Sequence, residues 1–83
     1  MESYTDTLAK DSWTKIATND GRVIIENIDS SGILIWKLMD TDTSPASDDE
    51  GHKVYPGGIR SYTDDGRYLY VRGYSSTVKV AVS

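Results

Sequence analysis

Turn-forming clusters recur about every ten residues along this chain, and that rhythm limits how long any element between them can be. "TNDG" (18–21), "DSSG" (29–32) and "DDG" (64–66) consist of Thr, Asn, Asp, Ser and Gly. Asn, Asp and Gly in particular tolerate the positive backbone angles of tight turns. The intervening segments are short and rich in β-branched and aromatic residues: "SWTKIA" (12–17), "RVIIENI" (22–28), "ILIWKLM" (33–39), "GHKVYPGGIRSYT" (51–63), "RYLYVRG" (67–73) and "TVKVAVS" (77–83). No stretch carries a helical apolar repeat. The expected fold is all-β, a small antiparallel β-sandwich or barrel of about six or seven short strands. The count is open because Pro56-Gly57-Gly58 either splits residues 51–63 into two strands or bends one edge strand sharply.

Alternation within the strands predicts which side chains face the core. Val78, Val80 and Val82 point to one side and Lys79 and Ala81 to the other. Leu69 and Val71 share the core with the valines, which leaves Tyr68, Tyr70 and Arg72 together on the opposite face of their strand. "YSS" joins these two last strands as a hairpin, and "DDG" signals another hairpin before them. In "ILIWKLM" both faces are apolar, so that strand is expected to be covered on both sides, with Trp36 in the core. Residues 1–11 are polar and aperiodic and read as a flexible or extended arm; 12–83 form one sandwich domain.

With 83 residues and no cysteine, the domain has a modest core and no disulfide to support it. That combination points to subunit contacts. The net charge of −4 and the lack of any basic cluster argue against a nucleic-acid partner. No apolar run is long enough to cross a bilayer and the first residues show no signal peptide, so a soluble product made in the cytoplasm is expected.

Candidate chemistry is sparse. His52 is the single histidine; it lacks the nucleophile and orienting acid that a catalytic role demands, and it reads as a solvated loop-edge residue. No Gly-x-Ser-x-Gly elbow occurs, and Gly57-Gly58 lacks the lysine of a phosphate loop. "DTDTSPASDDEG" (40–51) sets Asp40, Asp42 and Ser44 at alternating positions, but Pro45 and Gly51 stand where a calcium loop needs Gly and Glu. It reads as a solvated acidic loop that guards a sheet edge. No enzyme, cofactor or metal site is therefore expected. Tyr68, Tyr70 and Tyr74 around Arg72 have the composition of a protein–protein interface, with a sugar-stacking platform as the alternative. Arg72 itself needs a carboxylate or carbonyls, either from its own chain, through Glu26 or the loop acids, or from a neighbouring subunit.

The order of these features resembles that of small β-sandwich proteins and modules from tailed-bacteriophage virions. "SWTKIATNDGRVIIENIDSSGILIW" follows their opening, with Trp13, Ile16, Asn27 and Ile33–Trp36 at the corresponding places. Pro45 and Gly51 match a Ser/Ala-Pro loop, and "YPGG", "LYVRG" and "VKVAVS" match the closing bend, Arg-bearing strand and valine strand. The resemblance covers nearly the whole chain from residue 12. It implies a structural virion protein: a capsid decoration or cement protein, a head fibre, or a neck or tail component. The implied partners are the major capsid protein or a neighbouring virion protein and further copies of the chain, a trimer being the favoured number. The implied location is the capsid surface after synthesis in the host cytoplasm. The pattern contains no catalytic residues to carry over.

Overall fold

A computed structural model describes residues 3–17, 21–63 and 65–83. Among these, eight strands form: β1 (Tyr4–Leu8), β2 (Thr14–Ile16), β3 (Arg22–Asn27), β4 (Leu34–Met39), β5 (His52–Val54), β6 (Ile59–Thr63), β7 (Tyr68–Gly73) and β8 (Val78–Val82). They make two four-stranded antiparallel sheets, one ordered β1-β8-β3-β6 and the other β2-β7-β4-β5. The fold is all-β and sandwich-like, as the turn rhythm predicts. Proline 56 splits residues 51–63 into two strands that lie in different sheets.

Two expectations need correction. Residues 4–8 are a strand, with Tyr4 opposite Val82 and Leu8 opposite Val78. The strand escapes sequence reading because only Leu8 of its five side chains is buried. Main-chain bonds to β8 hold the rest, and such bonds leave no apolar period. Burying Leu8 contributes roughly 2 kcal/mol, enough to anchor the segment at its C-terminal end.

The second correction concerns connections. β6 and β7 do not pair, and neither do β7 and β8; each pair is divided between the two sheets. The turns expected to close hairpins instead carry the chain across the sandwich. Asn, Asp and Gly specify a reversal, but the facing sheet is an equally good destination once both strands have an apolar side to bury. Gly21 and Gly66 have the expected positive φ, +80° and +91°. Residues 18–20 and 64 of those turns lie outside the described residues.

Leu8, Ile16, Val23, Ile25, Leu34, Val54, Leu69, Val71, Val78, Val80 and Val82 fill the space between the sheets, with Trp36, Leu38 and Tyr62 at the margin. Among the described residues, one polar side chain lies wholly inside. Asn27, at the end of β3, donates through Nδ2 to the carbonyls of Gly32 and Val54, both at 2.8 Å. Its Oδ1 accepts the Asp29 N–H at 3.0 Å. Its main chain bonds Gly58 and Gly57. Gly57, at φ +84°, turns the chain there in a conformation other residues adopt with strain. One residue thus ties the first sheet to β5 of the second and fixes where β6 begins.

Replacing Asn27 with Ala strands two buried carbonyls. Urea denaturation of Asn27→Ala is expected to show a loss of about 2–4 kcal/mol. A loss within 0.5 kcal/mol or so would mean that water replaces the amide without penalty.

Candidate interaction surface

Strand β7 places Leu69 and Val71 in the core and turns Tyr68, Tyr70 and Arg72 outward, as alternation predicts. The outward face is nevertheless not open. Tyr70 and Arg72 are each only 5% exposed, because the segment between β4 and β5 folds back over them. Trp13, Ile35 and Tyr70 form a second small apolar cluster under this roof, with Met39 and Tyr74 packed against it. The acidic loop is a cover for its own sheet.

Arg72 clamps the roof. Its Nη2 donates to the Asp49 carbonyl at 2.6 Å, and its Nη1 donates to the carbonyls of Lys10 at 2.7 Å, Gly73 at 2.9 Å and Tyr74 at 3.3 Å. The guanidinium lies over the Trp13 ring, 5.0 Å from its centroid, and Trp13 Nε1 donates to the Ala46 carbonyl at 2.8 Å. Of the partners weighed for Arg72, then, it takes main-chain carbonyls of its own chain, including one from the acidic loop. A planar cation with several donors suits carbonyls that converge from separate segments; lysine has one point of charge.

Side chains fasten the rest. Asp42 receives Lys15 Nζ at 3.0 Å and the Tyr70 hydroxyl at 3.0 Å, Asp49 pairs with Lys37 at 3.1 Å, and Glu50 accepts from the Tyr74 hydroxyl at 3.1 Å. Lys15 and Tyr70 hold the Asp42 carboxyl below its ordinary range, Lys15 more strongly. Burial, then the Asp42 bond and charge, push the Tyr70 phenol up. These acids are turned towards cations and hydroxyls of the same chain, which bears directly on the calcium-loop comparison. Among the described residues, no three acidic or imidazole side chains converge. Gly51 ends the roof where a Cβ would collide with the Trp36 carbonyl, so a side chain there would force the loop off the sheet. His52, next in sequence, is exposed and stacks on Trp36 with ring centroids 4.4 Å apart.

The four residues expected at an interface therefore separate. Tyr70 and Arg72 lie beneath the roof, Tyr74 is half-buried with Lys53 over its ring, and Tyr68 alone is substantially exposed. The other sheet differs. On its outer face Ile24, Glu26, Ile59, Ser61 and Ala81 are neighbours across β6, β3 and β8, with Arg22, Thr63 and Lys79 continuing the same rows. Ile59 is 54% exposed and Ile28, just beyond β3, 42%. "RVIIENI" carries this signal in its sequence: Ile24 and Ile28 stand at the positions that alternation turns outward, where a solvated sheet carries polar residues. No protein-family model matches the chain, and no curated protein matches it.

Two outcomes test the roof. Arg72→Met keeps volume but removes the donors, and a loss of about 2–4 kcal/mol is expected in urea denaturation, with faster proteolysis between residues 40 and 51. Cleavage unchanged in that segment would show that the roof does not depend on Arg72. Asp42 has a depressed carboxyl in the folded state, so its contribution is present above its ordinary value of 3.8 and is lost as pH falls below it. Asp42→Asn is expected to lower stability at neutral pH and to flatten the acid limb of the stability curve below pH 4 or so. A wild-type acid limb in the variant would remove Asp42 as its source.

Proposed function

We propose that this chain is a structural component of a tailed-phage virion, a decoration protein that binds the capsid surface and reinforces it through protein–protein contacts. The observation that carries the reading is the contrast between the two sheets. One outer face is roofed by the chain itself, whereas the other is regular and sets Ile24, Ile59 and Ala81 among the charged Arg22, Glu26 and Lys79, with Ile28 and Ile59 exposed. A sheet face of β-branched residues has little rotamer freedom to lose on contact and presents a fixed shape. Ile24, Ile59 and Ala81 gather around Glu26 on this face, a mixed apolar and charged composition suited to protein contact. The contact face proposed is accordingly the outer side of the β1-β8-β3-β6 sheet, in place of the Tyr68–Arg72 face expected from sequence. The phage assignment rests on the order of sequence features that resembles virion sandwich proteins, and a neck or tail position would use the same face. Many copies on one particle would each make modest contacts whose sum is hard to reverse.

Carbohydrate binding is the second reading, and it requires a row of exposed rings. Tyr68 and Tyr70 were the natural pair for it, but Tyr70 is buried beneath Asp42. That observation favours protein contact.

Co-sedimentation with capsids assembled from the major capsid protein of the same genome is the direct test. Saturable binding is expected, and Ala81→Arg, in the middle of the bare face beside Glu26, is expected to weaken it about tenfold while stability changes by less than about 0.5 kcal/mol. Absence of binding to capsids, coupled with binding on a glycan array, would transfer the assignment to the carbohydrate reading.

A further inference from the structure

Each sheet of this sandwich ends in two edge strands, and three of the four edges are guarded in the same way. The middle residue of β1 is Asp6, of β2 Lys15 and of β5 Lys53. A charge at the centre of an edge opposes pairing with another copy, because a two-fold antiparallel pair centred there would set like charges opposite each other. Asp6 also occupies the Thr7 N–H of its own edge at 2.8 Å. The fourth edge is different. The middle residue of β6 is Ser61.

The ladder shows which main-chain groups that edge presents. Ile24 exchanges bonds with Ser83 in both directions, at 2.8 and 2.9 Å, so its N–H and C=O point towards β8. Its neighbours Val23 and Ile25 therefore point towards β6, where they meet Tyr62 and Arg60. It follows that Ile59, Ser61 and Thr63 direct their N–H and C=O groups away from the sheet. The Arg60 guanidinium bonds the Ile59 carbonyl at 2.8 Å, which agrees with an outward-facing carbonyl.

We propose that β6 pairs antiparallel with β6 of a second copy of this chain about a two-fold axis at Ser61. Ile59 then lies opposite Thr63 of the second copy and Ser61 opposite Ser61; the two Ser61 residues exchange both main-chain bonds, and the Thr63 N–H of the second copy replaces the Arg60 guanidinium at the Ile59 carbonyl. On the other face Arg60 meets Tyr62 of the second copy, a cation beside an aromatic ring, and the two arginines are kept apart. No register of β1, β2 or β5 centred on its middle residue avoids a like-charge pair. The interface is isologous and closes at two copies, in place of the trimer expected from sequence. It joins the two bare outer faces into one continuous eight-stranded surface. The ladder and the charges of the other three edges favour this pairing whatever the outer face binds.

The experiment is sedimentation equilibrium of the full chain across a concentration series, with Ser61→Lys, Thr5→Lys and Ser61→Cys beside the wild type. A dimer is expected, and Ser61→Lys, which copies the guard of the other edges at an exposed position, should raise its dissociation constant at least about tenfold. Thr5→Lys, on the β1 edge, should leave it unchanged. The chain has no cysteine of its own, so Ser61→Cys can only cross-link between copies, and paired Cα atoms about 5.5 Å apart permit it. A wild type that stays monomeric, or a dimer that Ser61→Lys leaves intact, overturns the proposal. Equal weakening by Thr5→Lys and Ser61→Lys also overturns it, since that identifies a head-to-tail contact of β1 with β6.

Discussion

A buried amide holds the two halves of this molecule in register. Asn27 sits at the end of β3 with every polar atom engaged, and its partners come from three separate stretches: the turn at 29–32, the end of β5, and the bend at 57–58. Apolar side chains between two sheets favour contact but specify a sliding position only loosely. An amide that must satisfy two carbonyls of fixed direction permits one position. Removing either carbonyl from reach would leave a buried donor unmet, at a cost of about 1–3 kcal/mol, which is a large share of the stability of so small a domain. The bend into β6 inherits its place from the same residue.

The second sheet meets a different difficulty. Its outer face carries Ile35 and Tyr70, whose apolar surface is costly to leave in water, on either side of Arg72. The chain answers by laying residues 40–51 across them, and a single guanidinium gathers carbonyls from Lys10, Asp49, Gly73 and Tyr74. A small sandwich thereby acquires a third layer without a helix or a disulfide. The roof also makes the acidic character of the loop intelligible: Asp42 and Asp49 face Lys15 and Lys37 of the sheet below.

Much of this was legible from residue types, and the remainder was hidden for identifiable reasons. The central strands declared themselves because β-branched runs bounded by turn residues have few other homes. The two-sided burial at the start of β4 was readable from the apolar run Ile33–Trp36 that precedes Lys37. β1 was not, since an edge strand held by main-chain bonds shows one buried leucine and no period. The inter-sheet turns were not, because a turn motif encodes reversal and leaves the partner strand unspecified. The burial of Tyr70 and Arg72 was not, because "DTDTSPASDDE" looks solvated on composition and its target lies about thirty residues away in sequence. Ile24 and Ile28 are readable as outward-facing positions once the alternation of their strand is followed.

These features bear on one another through the economy of a short chain. The residues that cover the second sheet are unavailable to cover the first, so the bare face and the roof are two consequences of one allocation. A face left bare on both sides of a strand edge is tolerable in solution only if something limits sideways stacking, and charges at Asp6, Lys15 and Lys53 do that at three edges. Ser61 is the place where the limit is relaxed. The edge without a central charge therefore adjoins the face that the roof does not cover. The proposed pairing at Ser61 would join that edge and that face to their counterparts in a second copy.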